Sequence, residues 1–331
     1  RNVTGVQTCA LPISMRPALL GNSLYVRLLY GDGPVLASIE RASGKVNWLS
    51  SELKGQWIVS DPIPRRDRIL ALTLQRLELN ESMLRLTAFD AETGEVVSQS
   101  DLLRLNSSWM TRRCCEVAVL DDGVLAVLGG VTVCSDFQGN VRWIRKQVVL
   151  PFDEEPDAVA QYYDPPLIHG NEACYAQPGV RAVDCVELDT GRLKWSRFLP
   201  DVMRIVAWQE NTVVVQYDQG LRGLDANTGS TNWEQRSTDN MTLQMASPTA
   251  SKSPDLLFAR SIRVDAGKKL QPQLVWLDIA SGNIKSIKPL PELDGEEPRL
   301  GPALRAGNKL WTFSGRGQAE PKRELLEIVL Q

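Results

Sequence analysis

The chain has 331 residues, of which 43% are hydrophobic, and its formal net charge is −3 at pH 7. This length and composition supply enough apolar side chains for a large core. The weakly acidic balance, with no block of lysine or arginine, argues against a nucleic acid partner. No run of about twenty apolar residues occurs, so we expect no transmembrane segment in this chain.

The first residues are set apart from the fold. The stretch from Val3 to Ile13 (V-T-G-V-Q-T-C-A-L-P-I) resembles the in-frame translation of a sequencing-library adapter, and such a segment is excluded from fold reasoning. The alternative is a real leader in which Cys9 carries a lipid or forms a disulfide. We expect residues 1–14 to be non-native and residues 15–331 to form a single domain that is a piece of a longer protein.

Short hydrophobic strands follow one another from residue 23 onward. Runs of apolar residues separated by turn formers, such as Asp121-Asp122-Gly123, predict β-hairpins and an all-β fold class. The predicted strands are, in chain order, residues 23–30, 34–40, 68–77, 83–90, 116–120, 123–128, 204–208, 212–217, 221–225, 259–269, 273–278, 309–314 and 324–330.

A strand–turn–strand motif recurs six times along these strands. The copies read I-E-R-A-S-G-K-V-N-W, F-D-A-E-T-G-E-V-V-S, C-S-D-F-Q-G-N-V-R-W, V-E-L-D-T-G-R-L-K-W, L-D-A-N-T-G-S-T-N-W and L-D-I-A-S-G-N-I-K-S. Their turn glycines lie 38 to 53 residues apart and are Gly44, Gly94, Gly139, Gly191, Gly229 and Gly282. A repeat of this period is typical of propeller blades.

Each part of the motif has a mechanical role. The glycine can adopt a positive φ in a tight turn, and a carboxylate four residues earlier can accept hydrogen bonds from the turn amides. These carboxylates are Glu40, Asp90, Glu187, Asp225 and Asp278. We expect the tryptophans four residues after the glycine to pack between blades with their indole N–H bonded to a carbonyl. They are Trp48, Trp143, Trp195 and Trp233.

The pattern resembles the pyrroloquinoline-quinone-like β-propeller repeat, close to A-x-D-x-x-T-G-x-x-x-W. Copy three departs from it at Ser135 and Gln138, and copies two and six carry Ser98 and Ser286 in place of tryptophan. The resemblance implies a β-propeller of four-stranded antiparallel blades, with seven blades visible and eight as the alternative for the complete protein. WD repeats are the structural competitor, but their Gly-His pair has no counterpart in a chain with one histidine.

The cysteines and the single histidine are further candidates. Cys174 and Cys185 flank a turn symmetrically and would face each other across a hairpin, where they either form a disulfide or remain thiols. Adjacent cysteines such as Cys114-Cys115 occur beside the cofactor in quinone alcohol dehydrogenases, although burial in a strand is the simpler interpretation. His169 is the candidate base of such an enzyme or an ordinary loop residue.

A long acidic segment, residues 151–166, connects the third and fourth repeats. Its carboxylates and tyrosines could bind a cation or a basic partner, or the segment is a solvated connection. The residues of this candidate interaction loop are Asp153, Glu154, Glu155, Asp157, Tyr162 and Tyr163.

Non-enzymatic members of the repeat family include the propeller lipoprotein of the machinery that assembles outer-membrane β-barrels. We therefore expect a monomeric, non-catalytic propeller without a cofactor that binds a protein partner in the periplasm or another extracytoplasmic envelope compartment of a bacterium. The alternative hypothesis is a dehydrogenase that depends on pyrroloquinoline quinone and calcium, which would require a tryptophan floor and carboxylate ligands.

Overall fold

The molecule consists of β-strands and turns throughout the part that can be described. The computed structural model describes residues 17–30, 33–50, 53, 55–78, 81–106, 115–128, 130–146, 164–177, 182–199, 202–217, 220–237, 241–246, 254–264, 269–290, 299–300, 304–306, 309–316 and 322–329. Within these ranges no helix is present. The strands within the described ranges form seven sheets.

The first three sheets follow one another in the chain. The first contains β1 (Ala18–Leu20), β2 (Ser23–Tyr30), β3 (Gly33–Glu40) and β4 (Val46–Leu49). The second contains β5 (Gln56–Ile58), β6 (Ile63–Arg65), β7 (Arg68–Glu78), β8 (Glu81–Asp90) and β9 (Val96–Asn106). The third contains β10 (Glu116–Val119), β11 (Gly123–Leu128), β12 (Val131–Asp136) and β13 (Val141–Lys146).

Four more sheets follow. The fourth contains β14 (Leu167–His169), β15 (Glu172–Gln177), β16 (Ala182–Glu187) and β17 (Leu193–Phe198). The fifth contains β18 (Val202–Gln209), β19 (Thr212–Tyr217), β20 (Gly220–Asp225) and β21 (Thr231–Arg236). The sixth contains β22 (Met241–Ala246), β23 (Asp255–Val264), β24 (Lys269–Asp278) and β25 (Ile284–Pro289). The seventh contains β26 (Arg299–Leu300), β27 (Leu304–Ala306), β28 (Lys309–Arg316) and β29 (Lys322–Val329).

Strand order is that of a simple meander in which each strand pairs with the next. The second and seventh sheets differ because their first strand is split into two pieces, β5 and β6 on β7, and β26 and β27 on β28. Residues 309–314, predicted as a strand, therefore belong to the second strand of the seventh sheet. The turn of each of the six motifs joins the third strand of its sheet to the fourth strand.

In the third and fifth sheets, burial decreases from the second strand to the fourth. All six residues of β11 and all six of β19 are buried, since both of their faces are covered. The fourth strand β13 instead alternates between partly buried and exposed residues. A continuous apolar run such as G-V-L-A-V-L suits a strand covered on both faces, whereas alternation suits one that faces solvent on one side.

Two compact units are distinguished by their internal contacts. The N-terminal unit comprises residues 1–166, 177–182 and 186–193, and the C-terminal unit comprises residues 167–176, 183–185 and 194–331. In the N-terminal unit, one apolar cluster joins the first and second sheets and another joins the second and third. In the C-terminal unit, one cluster joins the fourth and fifth sheets and another joins the fifth and sixth. Consecutive four-stranded sheets packed face to face are the arrangement of propeller blades. The single domain expected for residues 15–331 and the number of blades stay predictions.

A charged cluster covers one face of the fifth sheet. Arg222 and Glu234 pair across β20 and β21, with the guanidinium 2.9 Å from a carboxylate oxygen. The Tyr217 hydroxyl donates to the same oxygen at 2.7 Å, and Arg236 donates to the other at 3.0 Å. Hydrogen bonds from Arg222, Tyr217 and Arg236 lower the pKa of Glu234 to about 2.

This cluster predicts a pH-dependent contribution to stability. The pKa of Glu234 is lower in the folded protein (about 2) than its usual 4.5, so its contribution is fully present above about pH 4.5 and is lost as pH falls toward 2. Glu234→Gln should lower the melting temperature at pH 7, and the difference from the native protein should shrink between pH 4.5 and 2.5. Thermal melts across this range test it, and an equal difference at pH 7 and pH 2.5 would contradict the assignment.

Candidate functional site

The turns of the repeat share one backbone geometry. In five of them the glycine N–H donates to the carbonyl oxygen four residues earlier, at 2.7 to 2.9 Å. These glycines have φ between 67° and 75° and are Gly44, Gly94, Gly191, Gly229 and Gly282. Such φ values are strained for residues with a Cβ, which explains why glycine occupies the position.

Aspartate in the turn accepts hydrogen bonds directly from the backbone. Asp225 receives the N–H groups of Asn227 at 3.0 Å and Thr228 at 2.8 Å, and Asp90 makes the equivalent bonds in the second sheet. Glu40 and Glu187 are one methylene longer and bond to the hydroxyl groups of Ser43 and Thr190. Both residue types therefore brace the turn, but through different donors.

Hydrogen bonds at these turns lower the pKa values of Asp90 and Asp278. In Asp90 the cause is first the N–H of Thr93 and then that of Glu92, which stabilise the ionised carboxylate. In Asp278 a hydrogen bond from Lys285, followed by those from Ser281, lowers the pKa to about 2. These carboxylates are held ionised as structural acceptors at neutral pH.

The third repeat closes its turn with one residue fewer. The Gly139 N–H bonds the Asp136 carbonyl oxygen, three residues earlier, at 3.1 Å. Asp136 also accepts from the N–H groups of Gln138 and Asn140 at 2.9 and 2.8 Å. Asp136 thus accepts the turn's backbone hydrogen bonds in place of the aspartate that the pattern puts at position 135. This shift of one residue explains why the third copy has Ser135 there.

Each tryptophan of the repeat reaches the turn of the following sheet. The indole N–H donates to the carbonyl oxygen three residues before that turn's glycine, from Trp48 to Ala91 at 3.0 Å, Trp143 to Leu188 at 2.6 Å, Trp195 to Ala226 at 2.7 Å and Trp233 to Ile279 at 2.9 Å. A methyl group on the corresponding glycine would overlap the indole ring; these glycines are Gly94, Gly191, Gly229 and Gly282. The glycine therefore both allows the backbone conformation of the turn and leaves room for the indole ring.

A second contact, not predicted from the sequence, lies two residues after the tryptophan. Arg145 and Arg197 donate to the carbonyl oxygens of Gly191 and Gly229 at 3.1 and 3.0 Å, and Gln235 donates to that of Gly282 at 2.8 Å. Long donors at this position, in W-I-R, W-S-R and W-E-Q, are the sequence signal for it. We call the indole bond and this second bond together the turn clamp.

The junction between the second and third sheets is built without tryptophan. Ser100, two residues after Ser98, donates to the Gln138 carbonyl oxygen at 2.7 Å and leaves no room for a methyl group on Gly139. The guanidinium of Arg65 lies 4.0 Å from the centre of the Phe137 ring, a cation–π contact. A short hydroxyl donor and a cation–π pair thus occupy the place of the turn clamp.

His169 lines a shallow depression in the C-terminal unit. The depression is about 500 Å³ and its wall includes Glu172, Trp208, Glu210 and Asn227. The imidazole stacks on the Trp208 ring with centroids 5.4 Å apart, and Lys194 forms an ion pair with Glu172. His169 ends the edge strand β14 and is exposed, in a polar setting suited to surface contacts.

The remaining candidate residues are those of the interaction loop and the cysteines. Asp153, Glu154, Glu155, Asp157, Tyr162 and Tyr163, like Cys114, lie outside the described residues. Cys115, Cys134, Cys174 and Cys185 are buried cysteines in the reduced state. In the described part of the chain no group of three or more His, Cys, Asp or Glu side chains could hold a metal ion, and the four repeat tryptophans lie against turns of the following sheets. Of the residues that the structure describes, none lies in a helix long and apolar enough to span a bilayer.

Comparison with known proteins links the chain to one family. The family model described as outer membrane protein assembly factor BamB matches residues 6–206 and 164–317. Among curated proteins, none matches the sequence.

Solved structures share the fold. BamB from Moraxella catarrhalis aligns with a TM-score of 0.57 at 15% identity, covering 89% of this chain and 77% of that protein. Quinohemoprotein alcohol dehydrogenases from Pseudomonas putida and Comamonas testosteroni each give 0.55 at 11% identity, covering 90% of this chain and 63% of theirs. At these identities the likeness shows the fold alone, and it confirms the predicted all-β propeller of four-stranded antiparallel sheets.

Paired glycine substitutions separate turn strain from the tryptophan contact. Gly44 and Gly94 have φ of 69° and 75°, but only an added methyl at Gly94 would meet an indole ring, that of Trp48. Gly44→Ala should cost about 1–2 kcal/mol from the left-handed backbone, and Gly94→Ala about 1–3 kcal/mol more because the ring must move. Urea unfolding of both variants measures the difference, and equal losses would show that the contact is loose.

Trp195 and Phe198 on the same strand provide a second matched pair. Trp195 is 7% exposed and Phe198 is 67% exposed. Trp195→Ala should lower the free energy of unfolding by about 3–5 kcal/mol, because it leaves a cavity and an unpaired Ala226 carbonyl. Phe198→Ala should change it by less than about 0.5 kcal/mol. Urea unfolding of the two variants side by side tests the assignment, which a small loss for Trp195→Ala would overturn.

Proposed function

The chain belongs to the family of the outer membrane protein assembly factor BamB, and from this premise we propose that it is a non-catalytic β-propeller scaffold that binds other proteins in the extracytoplasmic envelope of a bacterium. Four-stranded sheets held by turn clamps make a rigid framework. The glycines, carboxylates and tryptophans of the repeat form that framework. A partner would therefore bind the surfaces that these residues leave open.

The observation that carries the proposal is the exposed apolar content of the fourth strands. Among the residues whose burial the structure describes, thirteen large hydrophobic residues are exposed, and nine of them lie on fourth strands, namely Val46, Leu49, Val96, Val97, Ile144, Leu193, Phe198, Ile284 and Ile287. These strands pair on one side only within their sheets. Apolar side chains beside an open strand edge are suited to protein contact.

Charged neighbours on the same strands favour a foreign partner over self-association. Lys146 follows Ile144 by two residues and is exposed. Basic residues on an edge strand oppose pairing between identical chains, whereas they complement an acidic partner. This supports the monomeric state expected from the sequence and a protein partner with acidic groups.

Site-specific photocrosslinking tests the proposal. A photoreactive amino acid at Phe198 or Ile287, with the full chain incubated in bacterial envelope extract, should yield a crosslinked protein identified by mass spectrometry. The same amino acid at Thr228, an exposed turn residue of the C-terminal unit, is the control and should yield much less. Equal yields at all three positions, or crosslinks to the chain itself, would contradict a partner surface on the fourth strands.

A second candidate function is favoured only by the structural likeness to quinohemoprotein alcohol dehydrogenases, of whose length the chain spans 63%. Incubation of the protein with pyrroloquinoline quinone and calcium, followed by dye-linked oxidation of alcohols and sugars, distinguishes the two. Turnover well above that of the quinone and calcium without protein would overturn the scaffold proposal.

A further inference from the structure

Two cysteines lie on neighbouring strands of the fourth sheet. Strands β15 and β16 have six residues each and are joined by residues 178–181. The equivalent hairpins of the third and fifth sheets pair symmetrically from end to end, Gly123 with Asp136 and Thr212 with Asp225. The same symmetry places Cys174 directly opposite Cys185.

The pair is enclosed in the core of the C-terminal unit. Both residues are 0% exposed and belong to the apolar cluster that contains Trp195, Val213 and Leu224. Burial, and next the hydrogen bond with the Cys185 thiol, raises the pKa of Cys174 well above its usual range. The two sulfur groups are therefore within hydrogen-bonding reach, and the folded protein holds almost no thiolate at this position.

We propose that Cys174 and Cys185 form a disulfide while the fourth sheet folds, and that closure of the core then seals the bond. A thiolate of one cysteine attacks the disulfide of an acceptor, such as a thiol–disulfide oxidoreductase or glutathione disulfide, and releases one acceptor thiol. The second cysteine displaces the other acceptor thiol from the mixed disulfide. The two cysteines lose two electrons and two protons, and the acceptor disulfide gains them as two thiols.

The order of events follows from burial. Exchange needs a thiolate that an acceptor can reach, and an acceptor cannot reach either buried cysteine once the sheet is packed. The redox state of the pair should therefore record the compartment in which the chain folded. Only this compartment rests on the proposed function, because disulfides persist in oxidising compartments such as the bacterial periplasm.

Cys134 supplies a matched control within the repeat. It stands two residues before Asp136, as Cys185 stands two residues before Glu187, but the residue opposite it is Leu125. In the fifth sheet the position of Cys174 is held by Val214. Cys174→Val is therefore a substitution that the repeat already accommodates.

Refolding of the full chain from denaturant with reduced and oxidised glutathione tests the bond. After alkylation in denaturant and proteolysis, mass spectrometry should find the Cys174 and Cys185 peptides linked and unalkylated. Cys174→Val should restore alkylation of Cys185, and Cys134→Ser should leave the link in place. Complete alkylation of both cysteines in the refolded native chain would overturn the proposal.

Two further measurements test whether folding protects the cysteine pair from oxidation and in which compartment the disulfide forms. The folded, reduced protein should keep both thiols for hours in glutathione disulfide, and rapid oxidation would overturn sealing. Chain purified from the bacterial periplasm should carry the link, and chain purified from the cytoplasm should not. A link that forms on refolding but is missing in the envelope-derived native protein would refute the proposed location and leave the refolding chemistry supported.

Discussion

The contact of an indole with the next sheet's turn is the interaction on which the structure depends. It combines a hydrogen bond to a turn carbonyl with a flat apolar face against a glycine. Because the ring fills the space of a Cβ, turn conformation and sheet packing impose the same residue at one position. A change at either partner therefore affects both the hairpin and the junction between sheets.

Variation among the junctions shows which part of this contact is essential. At the first junction the Ala91 carbonyl accepts from Trp48 and also from the Tyr25 hydroxyl. At the second, Ser100 supplies the donor and the Arg65–Phe137 pair supplies the packing. A donor to the turn and a side chain in close contact are retained at both junctions, whereas the indole itself is replaceable.

The same fourth strands connect stability with the proposed function. One face of β17 directs Trp195 into the core, while Phe198 near its end remains largely exposed. Because successive side chains of a strand point to opposite faces, a strand can be anchored by one set and offer the other to a partner. The framework is thereby fixed before any partner binds, which reduces the ordering cost of association.

The repeat, the positive-φ glycines, the all-β class and the propeller family could all be predicted from the sequence, since they depend on the repeat period and on local backbone preferences. The contacts between side chains and turns of different sheets could not, because they depend on tertiary packing. The Arg197 bond to Gly229 and the Ser100 bond to Gln138 join residues 32 and 38 positions apart, and the shortened turn shifts the acceptor to Asp136. Such contacts require sheets to approach within hydrogen-bonding distance, and strand register and packing set that approach.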